Sequence, residues 1–373
     1  MYFYFFLNFV NKGLFVSLPL LIPVLQERFT ISPWHIGAVN AVVVSASLVV
    51  IFLLATLWKH SNRRALLAGA IACYVAASVL LIFSTSVAWL YAVAVMVGIG
   101  SGLIETLSDA QISRLAPKGK TSQTLASLGM WGDTGRILFS STIVIVALAI
   151  GVPLVGVIFA IASAVFLFIF LKRKEASSQV SSAGVSVKGA SRFSREYWVA
   201  VAVKFFDSFS SGSLFIFLPF LLLAKGIELK ETGLLSALYF FGYMAGRKVF
   251  SFIADSTSTT TALRIAEIAM AVIIVGLVLA THTWALFVLI FLAGACVRGT
   301  SPIIKAMTSH AIPNERDFER GHSISQFTGN TAGALNRLLC GWLFGLFGIT
   351  SVFLLSAVVA VIAIVPTFFR SKD

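Results

Sequence analysis

The chain has 373 residues, 58% of them hydrophobic and only 12% charged, with a mean hydropathy of +0.95. A water-soluble protein of that size covers its surface with far more charge, so the composition excludes a soluble globular domain. The formal charge of +13, from 28 Lys and Arg against 15 Asp and Glu, fits basic loops on one side of a membrane better than a nucleic-acid surface.

A hydrocarbon core of about 30 Å takes about 20 apolar residues per helix. On that measure the first half predicts six spans, at 2–25, 35–57, 65–83, 87–112, 122–148 and 152–171. The opening run Tyr2–Val24 has no basic leader and no small-residue cleavage site, and it carries Lys12. It is therefore expected to be a first span rather than a signal peptide. Residues 172–195, reading KRKEASSQVSSAGVSVKGASRFSR, form the longest stretch without a span. Their Ser, Gly, Lys and Arg bias predicts a solvated cytoplasmic linker. Six more spans follow, at 197–223, 232–254, 262–281, 284–309, 321–346 and 349–369. The expected domains are a six-helix bundle at 1–171, the linker at 172–195 and a second six-helix bundle at 196–373.

Loop charge orients the chain. With both termini cytoplasmic, the outside loops hold only Arg28, Lys225 and Lys230, while Lys59, Arg63, Arg64, Lys118, Lys120 and the linker cluster fall inside. Expected is a multi-pass protein of the cytoplasmic (inner) membrane, in contact with lipid and functional as a monomer.

The halves repeat. Pro23/Pro219, Gly37/Gly233, Gly98/Gly294 and Pro117/Pro313 all match at one offset of 196, as do Ala110/Ala306 and Ser113/Ser309. Chance supplies about a tenth of a Pro pair at a given offset, so two carry weight. Two parallel six-span halves are a transporter architecture, with a site expected between them near the midplane. Small-residue pairs at Gly242–Gly246, Gly329–Gly333 and Gly341–Gly345, and Gly129, Gly132 and Gly135 in the fifth span, predict close helix packing.

Cys73, Cys296 and Cys340 lie in apolar runs with no spacing for a disulfide or a metal site, and the five histidines fall at or near span ends. No cofactor is expected. An integral-membrane enzyme, such as a lipid transferase, is an alternative of another class. The chain has no Walker loop, no HExxH and no CxxC to support it.

At the end of the eighth span the chain reads Gly246-Arg247-Lys248-Val249-Phe250-Ser251-Phe252-Ile253-Ala254-Asp255. This resembles the major facilitator superfamily, whose loops after spans two and eight resemble G-x-L-A-D-R-x-G-R-R. In the corresponding first-half stretch Leu57, Arg63 and Arg64 match, Lys59 stands where the family has an acid, and Asn62 where it has glycine. Span count, central linker and repeat extend the resemblance over the whole chain. It implies the twelve-span all-α fold and secondary transport by alternating access. It also implies that the loop acid latches the inward gate, a role left here to Asp255 or to Lys59 paired with an acid such as Asp109. The family's drug exporters resemble one another in an arginine in span four and a Gly-Pro pair in span five. Val93–Val97 before Gly98 holds no arginine, and the fifth span has no proline. Efflux of drugs or lipophiles by antiport is thus the second reading.

Charge within spans is the sharpest functional signal, since each such group costs about 2.5–3.5 kcal/mol on insertion scales. Spans three, six and twelve carry none in their interiors, and span nine only Arg264 and Glu267 near its start. Lys12, Arg136, Arg298 and Arg337, with Asn8, Asn11 and Asn330, are the candidates for binding substrate. Asp207, Asp133 and Glu105 are candidates for carrying a coupling proton, because a carboxyl's affinity moves with its burial. Asp133/Arg136 and Lys204/Asp207 are spaced i,i+3 and can also neutralise one another on one helix. Asp109 and Lys305 occupy equivalent positions with opposite charge and, with Lys59 and Asp255, are candidates for gating. Six basic against four acidic groups predict a small anionic or zwitterionic solute, moved with H+.

Overall fold

The structure, a computed structural model, describes residues 1–26, 28–56, 62–115, 121–172, 193–312 and 318–369. Lys59, Pro117, Pro313 and most of the 172–195 linker lie outside the described residues. The helices are α1 (Tyr2–Gln26), α2 (Pro33–Thr56), α3 (Arg63–Ile82), α4 (Val87–Leu115), α5 (Thr121–Ile150), α6 (Val152–Lys172), α7 (Arg195–Ser211), α8 (Leu214–Ala224), α9 (Leu229–Ser256), α10 (Thr259–Leu279), α11 (Thr283–His310), α12 (Phe318–Phe347) and α13 (Ile349–Ile362).

Ten segments among the described residues are long and apolar enough to cross a membrane, α7 and α8 together forming one of them. The two other long helices, α9 and α12, carry more polar residues. The twelve expected spans are thus present, with two departures. The seventh breaks where Ser210-Ser211-Gly212-Ser213 interrupts its apolar run, because residues of low helix propensity end α7 before α8 resumes. The twelfth ends at Ile362, and Pro366 sits in a 3-10 turn over Val365–Phe369.

The chain forms two compact units, Met1–Ala183 with Glu228–Ala237, and Gly184–Ile227 with Leu238–Asp373. Within the first, α1 packs on α5 and α4, α2 on α4, and α3 on α4 and α6. Within the second, α7 packs on α12 and α11, and α10 on α11 and α13. Span for span, these are the same neighbours. Burial grades the helices: 72% of the apolar window of α1 is buried, against 22% for α6, so α1 is central to its unit and α6 faces lipid. Trp34, Trp89 and Trp284, all exposed, stand at the starts of α2, α4 and α11, where an aromatic ring suits the membrane interface.

The repeat is a matter of backbone contact. A Cβ on Gly98 would lie 2.3 Å from the Val43 carbonyl oxygen, and one on Gly294 would lie 1.9 Å from that of Tyr239. Val43 and Tyr239 are themselves related by the offset of 196, so both halves cross the same two helices at the same glycine. The small-residue pair Gly242–Gly246 likewise meets the Phe291 and Ala295 carbonyls of α11. Such contact lets helices associate where lipid removes any hydrophobic drive between them.

Two loop cations are structural. Arg63, assigned above to an inside loop, opens α3 buried and donates to the Leu107 carbonyl (2.6 Å) and to the Gln111 side chain. Lys225 follows α8 and donates to the Val278 and Ala280 carbonyls at 2.8 and 2.6 Å, neutralising the carbonyl end of α10. Desolvation lowers its pKa from the ordinary lysine value.

These contacts give a direct test. Gly294→Ala forces a methyl into a backbone carbonyl and is expected to cost about 1–3 kcal/mol, as overpacking does. Gly69→Ala, in α3 with open space around its Cβ position, is expected to be neutral or to stabilise by about 0.5–1 kcal/mol through helix propensity. Thermal unfolding of both variants in detergent checks the contrast; equal midpoints would remove the close-contact account.

Candidate functional site

In the first unit the polar residues gather on α1. Asn8 and Lys12 are one helical turn apart on one face, and Asn11 lies beside them. Gly132 of α5 gives them room: a Cβ there would lie 2.8 Å from Asn8 Nδ2 and 2.9 Å from Lys12 Cγ. Asn8 donates to the Leu128 carbonyl at 2.7 Å. Asn11, fully buried, accepts from the Tyr74 hydroxyl of α3. Lys12 reaches across to α4 and bonds Glu105 Oε2 at 2.6 Å. The lysine side chain is 13% exposed and the glutamate 47%, so one partner is enclosed and the other open. Sequence spacing gave Lys12 no acid on its own helix; the structure supplies one from another helix.

Asp133 and Arg136 of α5 are both buried and bonded to each other, so the i,i+3 pairing forms. A void of ≈ 30 Å³ among Leu14, Tyr74 and Phe159 has room for about one water, not a solute.

The second unit uses the same helices with different chemistry. Asp207 of α7 is buried, and its Oδ2 stands 3.7 Å from Lys204 Nζ. Its other neighbour is Glu267 of α10, whose side chain is fully buried and within hydrogen-bonding reach of the Asp207 carboxyl. The sequence puts Glu267 near the start of an outer span. With α10 beginning at Thr259 it lies eight residues in, about 12 Å along the axis at 1.5 Å per residue, and it is buried against α7. The available signal was its isolation: α10 is apolar from Ile268 to Leu279 and holds no other acid.

Arg337 of α12 donates from Nε to the Gly212 carbonyl at 3.2 Å. That carbonyl belongs to the break between α7 and α8, where the helix ladder leaves acceptors open, so the break and the arginine account for one another. Arg298 of α11 stands over the Tyr243 ring with its guanidinium carbon 5.5 Å from the centroid. The repeat is informative here too. Positions 47 and 102 of the first half, where Gly102 abuts Ser47, correspond to 243 and 298, so the Tyr243–Arg298 contact fills the place of a serine–glycine contact. Asn330 is half-buried on α12, and the neighbouring Asn336 is fully buried, donating to Cys340 Sγ at 3.3 Å.

Of the residues read as gating, Asp109, Asp255 and Lys305 are exposed near the ends of α4, α9 and α11. Lys59 lies outside the described residues. Among those described, no three His, Cys, Asp or Glu side chains gather as a metal site, and Cys73, Cys296 and Cys340 are free thiols.

The fold and these sites meet known proteins at two levels. Among curated proteins none matches the chain in sequence. In structure it is similar to a bacterial homolog of the human lysosomal transporter Spinster, in an inward-facing and occupied conformation. The TM-score is 0.73 at 14% identity, over 98% of this chain and 94% of that one. It is also similar to the nucleoside transporter NupG, with a TM-score of 0.77 at 12% identity, over 99% of each. At those identities the likeness is one of fold. The family model of the Major Facilitator Superfamily matches residues 1–204 and again 200–373. The chain therefore belongs to the major facilitator superfamily, as an integral multi-pass membrane transporter rather than an enzyme.

Proposed function

We propose that the protein moves a small anionic or zwitterionic organic solute by alternating access, coupled to protons. The observation that carries this reading is the Lys12–Glu105 bridge, an ion pair between two helices with one partner enclosed and the other half exposed. A solute carboxylate or phosphate competes with Glu105 for Lys12. Once displaced, Glu105 no longer has the lysine charge beside it and takes up a proton more readily, because removing a nearby opposite charge favours the neutral carboxyl. Solute binding and proton binding thereby favour one another, as coupled transport requires.

Asn8, Asn11, Arg136, Arg298, Asn330 and Arg337 supply the remaining hydrogen bonds and charge to the solute. Asp133 and Asp207 stand with Glu105 as proton-carrying acids, and Lys59, Asp109, Asp255 and Lys305 serve the gates. Counting Glu267, in-span acids rise to five against six basic groups, so the charge balance alone favours a zwitterion as much as an anion. The protein works as a monomer in contact with lipid.

Lys12→Gln keeps the length of the chain but removes a charge-assisted bond worth about 1.5–3 kcal/mol, so it is expected to weaken solute binding about tenfold or more. Glu105→Gln is expected to retain solute exchange and lose accumulation driven by a proton gradient. Uptake and counterflow in proteoliposomes separate the two. The solute comes from a thermal-shift screen of organic acids, amino acids, sugars and nucleosides, the last included because of the likeness to NupG. Gradient-driven accumulation persisting in Glu105→Gln removes that residue from the coupling.

The loop charges support an inner-membrane protein with both termini cytoplasmic. A green fluorescent protein fused after Asp373 is then expected to fluoresce, and an alkaline phosphatase fused there to be inactive. The reverse pattern would invert the topology.

A further inference from the structure

We infer that Asp207 and Glu267 form one proton-binding site, two carboxyls that hold a single proton between them inside the second half. The inference rests on the proton-coupled reading only for its use in transport; the site itself stands on geometry.

Both side chains are buried, Glu267 completely and Asp207 to 4% exposure. Their carboxyls reach one another, yet neither Glu267 oxygen nor Asp207 Oδ1 meets a hydrogen-bond donor. An ionised carboxylate only accepts, so two of them facing each other leave every oxygen between them unsatisfied and two like charges in low dielectric. One proton resolves both faults. The protonated acid then donates to the other carboxylate in a short, charge-assisted bond.

Charge balance gives the same number. Lys204 Nζ, 3.7 Å from Asp207 Oδ2, provides one positive charge for two acids. With one proton the cluster is neutral, and with none it carries net negative charge. Among the described neighbours, Cys296 of α11 lies within electrostatic reach of Glu267, and Arg337 of α12 donates to the Gly212 carbonyl, five residues beyond Asp207.

The repeat supplies an internal control. Asn11 is the first-half counterpart of Asp207, and it accepts from the Tyr74 hydroxyl of α3. Position 74 corresponds to 270 on α10, one turn from Glu267. The first half thus fills this place with a permanent donor and a neutral acceptor. The second half fills it with two acids, which reproduce the bond only when one of them is protonated. A permanent hydrogen bond has become one that pH makes and breaks.

The test is infrared difference spectroscopy on the purified full-length protein in lipid, with pH stepped from acid to alkaline. The expected result is a protonated-carboxyl C=O band that is lost on alkalinisation, is absent from Glu267→Gln, and is shifted in Asp207→Asn. The thermal midpoint is expected to fall as pH rises in the wild type and to stay level in Glu267→Gln, whose amide donates to Asp207 at every pH. Should Asp207→Asn fail to fold, the near-isosteric Glu267→Gln carries the comparison alone. A band that survives Glu267→Gln, or that never titrates in the wild type, overturns the inference. So does removal of the band by sodium at fixed pH, which would make the pair a cation site. Proton-independent uptake alongside a titrating pair would leave the site standing and remove the coupling reading instead. Gradient-driven accumulation retained in Glu267→Gln would remove the pair from coupling.

Discussion

The structure depends on the cost of charge in a medium that does not solvate it. An isolated ionised group in the hydrocarbon region is expensive, so each in-span charge must find an opposite charge, a dipole or a ring. The solutions here differ in kind. Lys12 takes a carboxylate from α4, Asp133 takes an arginine one turn along its own helix, Arg337 takes a carbonyl freed by a helix break, and Arg298 lies over a tyrosine ring. The first is a contact between ions on different helices with one partner open to water. Such a pair can be opened by a competing solute, whereas an i,i+3 pair on one rigid helix has little to gain by separating.

The repeat explains how these solutions share one scaffold. Gly98 on Val43 and Gly294 on Tyr239 set the same helix crossing in both halves through contact with a backbone carbonyl. Side chains one turn away are then free to diverge. Ser47 and Gly102 correspond to Tyr243 and Arg298; Asn11 corresponds to Asp207. The conserved element of the duplication is the glycine crossing, and the polar chemistry changes around it. This is expected of close-packed helices, since a backbone contact tolerates no added atom while a cavity-facing side chain tolerates many.

Much of this was legible in the sequence because hydrophobic length and loop charge are one-dimensional signals. Span positions fell within a few residues of the helices, the offset of 196 marked the true structural equivalence, and Asp133, Arg136 and Asp207 are buried. What escaped depends on rotation about a helix axis, which a span boundary does not fix. Arg63 was counted as a loop cation but turns inward to carbonyl oxygen on α4. Glu267 was placed at the edge of an outer span but starts two turns deep and faces α7. The Lys12–Glu105 pair joins residues 93 positions apart, beyond any local pattern. The break at Gly212 was written in Ser210–Ser213, yet apolar residues on both sides carried the hydropathy signal straight across it.

On the proposed reading the two halves offer different proton sites. Glu105 is half exposed beside Lys12, so a proton there would respond to solute. Asp207 and Glu267 are enclosed, so a proton they share would respond to whatever brings water or a donor to the buried carboxyls, such as movement of α7 against α10. That movement has a ready pivot in the break between α7 and α8, just beyond Asp207, where Gly212 packs against Gly333 with its Cβ position 3.0 Å from that residue's Cα. Opening there would expose the pair without disturbing the glycine crossing of α9 and α11. In the proposed cycle one carboxyl would sense occupancy and the paired carboxyls would sense conformation, the two signals that coupling solute to protons requires.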